Sequence, residues 1–129
     1  MKLSLVLTIS AVYMGLLGLG YLVSPAAMSF GVVDATASSA LIGLLRLQAS
    51  LFIGIAVLSW MARDAEASKA RDAIALGNTV GFGLGAILII WGALTGSPAV
   101  TWVFALINLL IAAAFFMAGR AEMSTGNRR

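Results

Sequence analysis

Residues 41–61 read LIGLLRLQASLFIGIAVLSWM, twenty-one positions with one ionisable side chain, Arg46. A helix rises about 1.5 Å per residue, so a stretch of this length crosses the roughly 30 Å hydrocarbon core of a bilayer. Three further stretches have the same character. Spans are expected at about Leu3 to Val23, Ser39 to Met61, Ala73 to Leu94 and Ala99 to Ala118. The expected fold is an all-α bundle of four transmembrane helices, forming a single integral membrane domain over residues 1–129. The first span has no small-residue cleavage site after a short apolar core, which favours a retained helix over a signal peptide.

Composition agrees. The 129 residues are 61% hydrophobic and 10% charged, against about 45–50% and about 25% in a soluble domain. Too few charged side chains exist to coat a water-facing surface. The chain has no Cys and no His. Disulfides, zinc–thiolate sites, His-ligated haem and His-dependent nucleophilic catalysis are therefore out of reach. No metal site, cofactor or enzymatic activity is expected. The pI near 10 does not point to nucleic acid, because the basic residues gather at segment ends.

Their placement gives an orientation. Lys2 precedes the first span, Arg63, Lys69 and Arg71 lie between the second and third, and Arg120, Arg128 and Arg129 follow the fourth. The loops at residues 24–38 and 95–98 carry none. In an alternating topology every basic residue except Arg46 falls on one side. The positive-inside rule then puts both termini and the middle loop in the cytoplasm of a cell with the protein in its inner membrane. Tyr21, Trp91 and Trp102 near the outer ends, and Trp60 at the inner end of the second span, suit the aromatic belts.

The first loop contains SPAAMSFG, residues 24–31. Ser24 suits an N-cap, Pro25 the first helical position and Gly31 a stop, so a short interfacial helix is expected. Asp34, Thr36 or Ser38 would cap the next span. SPA recurs at residues 97–99, and the second and fourth spans end on WMAR and FMAGR. That echo fits two hairpins in parallel duplication, or simply the habit of Pro to follow helix ends and Arg to mark exits to the cytoplasm.

Small residues drive helix association in lipid. Gly77, Gly81 and Gly85 recur every four residues in the third span and are expected to form a close-packing face within the chain or between two copies. Gly15 and Gly18 give the first helix a smaller one. Asn78, beside the glycines, is expected to make an interhelical hydrogen bond.

Arg46 is the candidate handle on a site. An arginine at mid-span costs roughly 2.5–3.5 kcal/mol on insertion scales. It lies roughly 10 Å below the outer surface of the hydrocarbon, within reach of snorkelling to lipid phosphate or of pairing with Asp34. Alternatively it faces inward. Tyr13, Gln48 and Asn108 lie roughly 13–15 Å from the same surface. Arg46, Tyr13 and Asn108, with Ser50 on the arginine's face, would then line a polar pocket for an anionic or carbonyl-bearing headgroup. Residues 46 and 48 stand about 200° apart on a helix, so Arg46 and Gln48 cannot both face that pocket.

The run LLRLQASLFIGIAVLSWMAR, the segment with Ser24, Pro25, Phe30 and Gly31, the arginines Arg46 and Arg63, and the opening ALGNTVG of the third span together resemble the DoxX-like small membrane proteins. The resemblance implies a four-helix bundle and little established chemistry. DoxX itself is associated with a quinol oxidase, but nothing here supplies a redox centre. No span holds an acidic residue, unlike the small multidrug-resistance transporters, which carry a glutamate in the first helix. The expected function is a small non-catalytic membrane protein that binds a lipid or quinone-like amphiphile, or serves as an accessory subunit of a membrane complex. The alternative is an oligomeric channel or small-solute transporter. Expected partners are membrane lipids, a second copy or a larger complex, and not nucleic acid.

Overall fold

The computed structural model describes residues 2–34 and 36–126, without the side chains of 123–126. Arg128 and Arg129 lie outside the described residues. Among the described residues five helices follow one another: α1 (Leu3–Val23), α2 (Pro25–Met28), α3 (Ser39–Ala62), α4 (Lys69–Leu94) and α5 (Thr101–Gly126). Four of them are long and apolar enough to cross a membrane, and α2 is the short helix between the first two. Helix α4 starts four residues before its expected apolar span, and α5 continues eight beyond. Hydropathy marks where the apolar run ends, whereas a helix continues until its backbone is capped or broken.

Local chemistry accounts for several ends. Ser38 and Ser68 accept from the backbone N–H groups of Leu41 and Arg71, each at 3.3 Å, and so cap α3 and α4. Pro25 occupies the first turn of α2, while the Ser24 hydroxyl makes no capping bond. Gly31 follows with φ of 87°, the left-handed conformation that glycine adopts at no steric cost. Asp34 does not cap α3. Its carboxylate accepts from the backbone N–H and the hydroxyl of Thr36, both at 2.7 Å, which stabilises its charged form and holds its pKa below the usual carboxylate value.

The long helices form two tight pairs, α1 with α3 and α4 with α5, joined mainly along α1 and α5. Gly15 and Gly18 let α1 close onto α3. A Cβ on Gly18 would stand 2.7 Å from Ile53 Cγ1 and 3.1 Å from both Ala49 O and Ile53 N. The face of α3 that receives them is equally small, with Ala49, Ala56, Ser59 and Ala62 as its buried residues. Close backbone approach of this kind replaces the hydrophobic drive that lipid cannot provide.

The packed core fills the end of the bundle where α1 begins and α5 runs out. Leu3, Leu7, Ala62, Ala75, Phe115 and Ala118 are buried there, and the Phe82 and Phe115 rings stack at 6.2 Å. Outward faces carry exposed leucines such as Leu16, Leu44, Leu88 and Leu110, a surface suited to lipid rather than water.

At that same end Arg71 is buried. Its Nε donates to Ala62 O at 3.1 Å, Nη2 to Arg63 O at 3.2 Å and Nη1 to Glu122 Oε2 at 3.2 Å. One guanidinium thus satisfies carbonyls at the C-terminus of α3, where positive charge is favoured, and ties the start of α4 to α5. Asn78 makes the next tie. It accepts from Ser10 Oγ on α1 and donates to Ser59 Oγ on α3, each at 3.4 Å, and donates to Ile74 O at 2.9 Å. Among the described residues no hydrogen bond joins α3 to α4 beyond this level, although the two helices are consecutive.

Candidate functional site: a cleft between the third and fourth helices

Where α3 and α4 part, they leave a cavity of about 1090 Å³. Helices α1 and α5 form its floor. The segment from Met28 to Val33 and the turn around Ser97 close the end opposite the core. Gln48 on α3 and Gly77, Gly81 and Leu84 on α4 line it while remaining exposed, so the cavity opens sideways between the two helices. Its volume lies just above the range of about 300–1,000 Å³ typical of ligand pockets.

The walls are apolar, with a few polar groups at defined places. No lining residue is Asp, Glu, Lys or Arg. Deep in the cavity Asn108 donates to Tyr13 OH at 3.3 Å and to Phe104 O at 2.8 Å. Both amide hydrogens of Asn108 are thereby used, and the phenol, having accepted one of them, keeps its own hydrogen to give. Towards the closed end, by the Ser97 turn, Thr101 is among the lining residues, but its Oγ1 is itself buried and has no hydrogen-bond partner among the described residues. Seven residues separate Thr101 from Asn108, so the two stand about 10 Å apart along α5. Gln48 lines the cleft from α3.

Tyr13 and Asn108 are therefore brought together as expected. Arg46 is a correction. It is exposed on the outside of α3, does not line the cavity, and makes no ion pair with Asp34 among the described residues. The 200° separation decides the matter, because the face of α3 that carries Gln48 turns to the cleft and carries Arg46 away. Ser50 goes with the arginine. It is exposed, and its hydroxyl donates to Leu47 O at 2.7 Å.

The glycine repeat does not pack within the chain along its length, which corrects the intramolecular half of that expectation. A Cβ on Gly77 or Gly81 would meet nothing within 4 Å, and only Gly85 of the three abuts another helix, 3.2 Å from Asn108 Oδ1. The repeat does mark one face of α4. That face lies beside the one built from Ala75, Asn78, Phe82 and Ala86, which packs inward, and it gives the cleft its width instead of closing it. Asn78 is the interhelical tie expected of it. Thr101, Gln48 and Arg71 were not singled out as functional. The 200° rule carried the signal for Gln48. Nothing in the sequence marks Thr101 as buried and unpartnered.

Comparison with protein-family models, with curated proteins and with solved structures yields no match. None of the three supports the resemblance to the DoxX-like proteins.

Proposed function

We propose that this chain is a non-catalytic, multi-pass protein of the inner membrane that takes an amphiphile out of the bilayer through the gap between α3 and α4. Both termini and the loop around Ser68 lie in the cytoplasm, and the cleft faces the outer leaflet. What carries the reading is the cleft itself. It is a large, mostly apolar cavity that opens sideways between two helices long and apolar enough to cross a membrane, with the hydrogen-bonded Tyr13–Asn108 pair inside it. A membrane molecule enters such a space without leaving lipid. The packed core around Phe82 and Phe115 blocks the inner end, which speaks against a conducting path through a single copy.

The test is extraction. Protein purified in mild detergent is expected to carry a bound amphiphile, identified by mass spectrometry of the organic extract. Gly81→Phe puts a ring into the cleft at a position where a Cβ meets nothing within 4 Å, and is expected to empty it. An equal yield of the same molecule from both proteins would refute the cleft reading. A protein recovered in stoichiometric amount in place of a small molecule would favour the accessory-subunit role. For orientation, Ser68→Cys is expected to resist a membrane-impermeant maleimide applied to intact cells, and efficient labelling would reverse the topology.

A further inference from the structure

Resting on that reading, we infer that the cleft holds an uncharged amphiphile by a free hydroxyl group, which accepts from Tyr13 and donates to Asn108, and that it prefers this molecule to the same skeleton without the hydroxyl hydrogen. Asn108 is buried, at 9% exposure. Its Nδ2 gives both hydrogens within the chain, to Phe104 O at 2.8 Å and to Tyr13 OH at 3.3 Å. The short bond to a backbone carbonyl fixes which end of the amide is nitrogen. The other end, Oδ1, accepts from no described residue. Nor is it sealed, because among the described residues Thr101 Oγ1 is the only buried side-chain nitrogen or oxygen left without a partner. Asn108 lines the cleft, so that is the space its oxygen opens to. An added Cβ on Gly85, which also lines the cleft, would stand 3.2 Å from this oxygen. The bare glycine leaves it uncovered.

The pair therefore presents one donor and one acceptor side by side. Tyr13 OH accepts from Asn108 and donates to no described residue, so its hydrogen is free. Nδ2 and Oδ1 belong to one amide, which keeps the phenol oxygen and the free carbonyl oxygen within about two hydrogen-bond lengths of each other. One hydroxyl group bridges them, taking the phenol's hydrogen and giving its own to Oδ1. A ketone, ester or ether oxygen takes the first bond but leaves Oδ1 unpaired. An ionised headgroup is disfavoured for a separate reason. No Asp, Glu, Lys or Arg lines the cleft, so an ion would shed its water without gaining a counter-charge. The hydrocarbon part of the ligand lies against the apolar walls and leaves past Gly77 and Gly81, where a Cβ would meet nothing within 4 Å.

The experiment is thermal unfolding of the whole purified chain in dodecyl maltoside, with the melting temperature followed against probe concentration. The probes form two pairs that differ at the hydroxyl: dioleoylglycerol against its acetate ester, and decylubiquinol against decylubiquinone. In at least one pair the hydroxyl form is expected to bind roughly 3- to 10-fold more tightly, the worth of one hydrogen bond. The pair that responds tells a glyceride from a quinol source. Dioleoyl phosphatidic acid is expected to bind at least about tenfold more weakly than the better hydroxyl probe. Asn108→Leu removes the acceptor, and Gly85→Ala covers it with a single methyl. Each is expected to bring the two members of the responding pair to nearly equal affinity. A merely structural role for Asn108 would shift the melting temperature of the ligand-free protein and leave that ratio alone. Tyr13→Phe removes the hydrogen that both members accept, so it is expected to weaken both by roughly 3- to 10-fold and to keep their ratio.

Four results would each overturn the inference: no stabilisation by either hydroxyl probe, equal binding within both pairs, equal potency of phosphatidic acid, or a preference unaltered in both Asn108→Leu and Gly85→Ala. Gly81→Phe separates such a failure from failure of the cleft itself. If it abolishes recovery of the copurified amphiphile while the probe pairs show no preference, the cleft stands and the hydroxyl assignment falls. If it changes neither recovery nor stabilisation, both fall.

Discussion

Adding one methyl group at two glycines is expected to push stability in opposite directions. At Gly18 the new Cβ would meet Ala49 O and Ile53 N at 3.1 Å, and Ile53 Cγ1 at 2.7 Å. The isoleucine can turn in part, but the backbone atoms cannot, so α1 must back away from α3 by a few tenths of an ångström. Carbon–carbon contacts are worth about 0.1–0.2 kcal/mol each, and a gap of about 0.5 Å forfeits about a quarter of that. Over some tens of atom pairs along the interface the loss comes to about 1–2 kcal/mol, within the range of about 1–3 kcal/mol for overpacked cores. Alanine returns up to about 1 kcal/mol through helix propensity. At Gly81 nothing lies within 4 Å of the same methyl, so only the propensity gain remains. Gly18→Ala should therefore be the less stable of the two by about 1–2 kcal/mol, with Gly81→Ala at or above the parent. Equilibrium unfolding by sodium dodecyl sulfate in mixed micelles, followed by far-ultraviolet circular dichroism, measures the difference. Gly18→Ala at or above Gly81→Ala would refute the assignment of the close contact to α1–α3 and of the open face to α4.

The remaining predictions concern three charged residues. Arg71→Met removes the guanidinium that serves Ala62 O, Arg63 O and Glu122 and should cost roughly 2–4 kcal/mol in the same assay; Arg71→Lys, without the planar fork, should recover only part of it. Arg46→Leu and Arg46→Lys should both leave stability and the extracted amphiphile unchanged, and loss of the amphiphile in either would return Arg46 to the site. Asp34 has a carboxyl pKa held below its unfolded value by Thr36, so its contribution is present above the unfolded value and is lost as pH falls through the lower, folded one. Hydrogen-exchange protection of the Thr36 amide should hold at neutral pH, drop only in that acid range, and be lower in Asp34→Ala at neutral pH.

Much of the fold was legible because lipid imposes a simple code. Long apolar runs and their charged ends predicted four helices, and the observed ends of α1, α3 and α4 differ from the expected bounds by at most four residues. The site was legible only in part. A repeat every four residues says that Gly77, Gly81 and Gly85 share a face, but not whether a helix or a void lies opposite. Polar residues at equal depth brought Tyr13 and Asn108 together, since both lie on helices that meet. Depth alone could not choose between Arg46 and Gln48; angle could. Arg71 was counted with the basic residues that set topology, and its burial depends on α5 passing beside the α3–α4 loop, which no local pattern records.

The division into an α1/α3 pair and an α4/α5 pair has a consequence for how the chain is made. Each pair consists of neighbours in order of synthesis, so each can enter the membrane as a finished hairpin, with little needed from the other. Helix α4 emerges beside α3 yet finds its main partner only when α5 follows. The segment between Arg63 and Ser68 then serves chiefly as a tether that keeps two hairpins near each other. A gene split at Glu66 and expressed as two fragments is expected to give two inserted halves that reassemble through α1 and α5, because the contacts that join them there do not need the tether to be continuous.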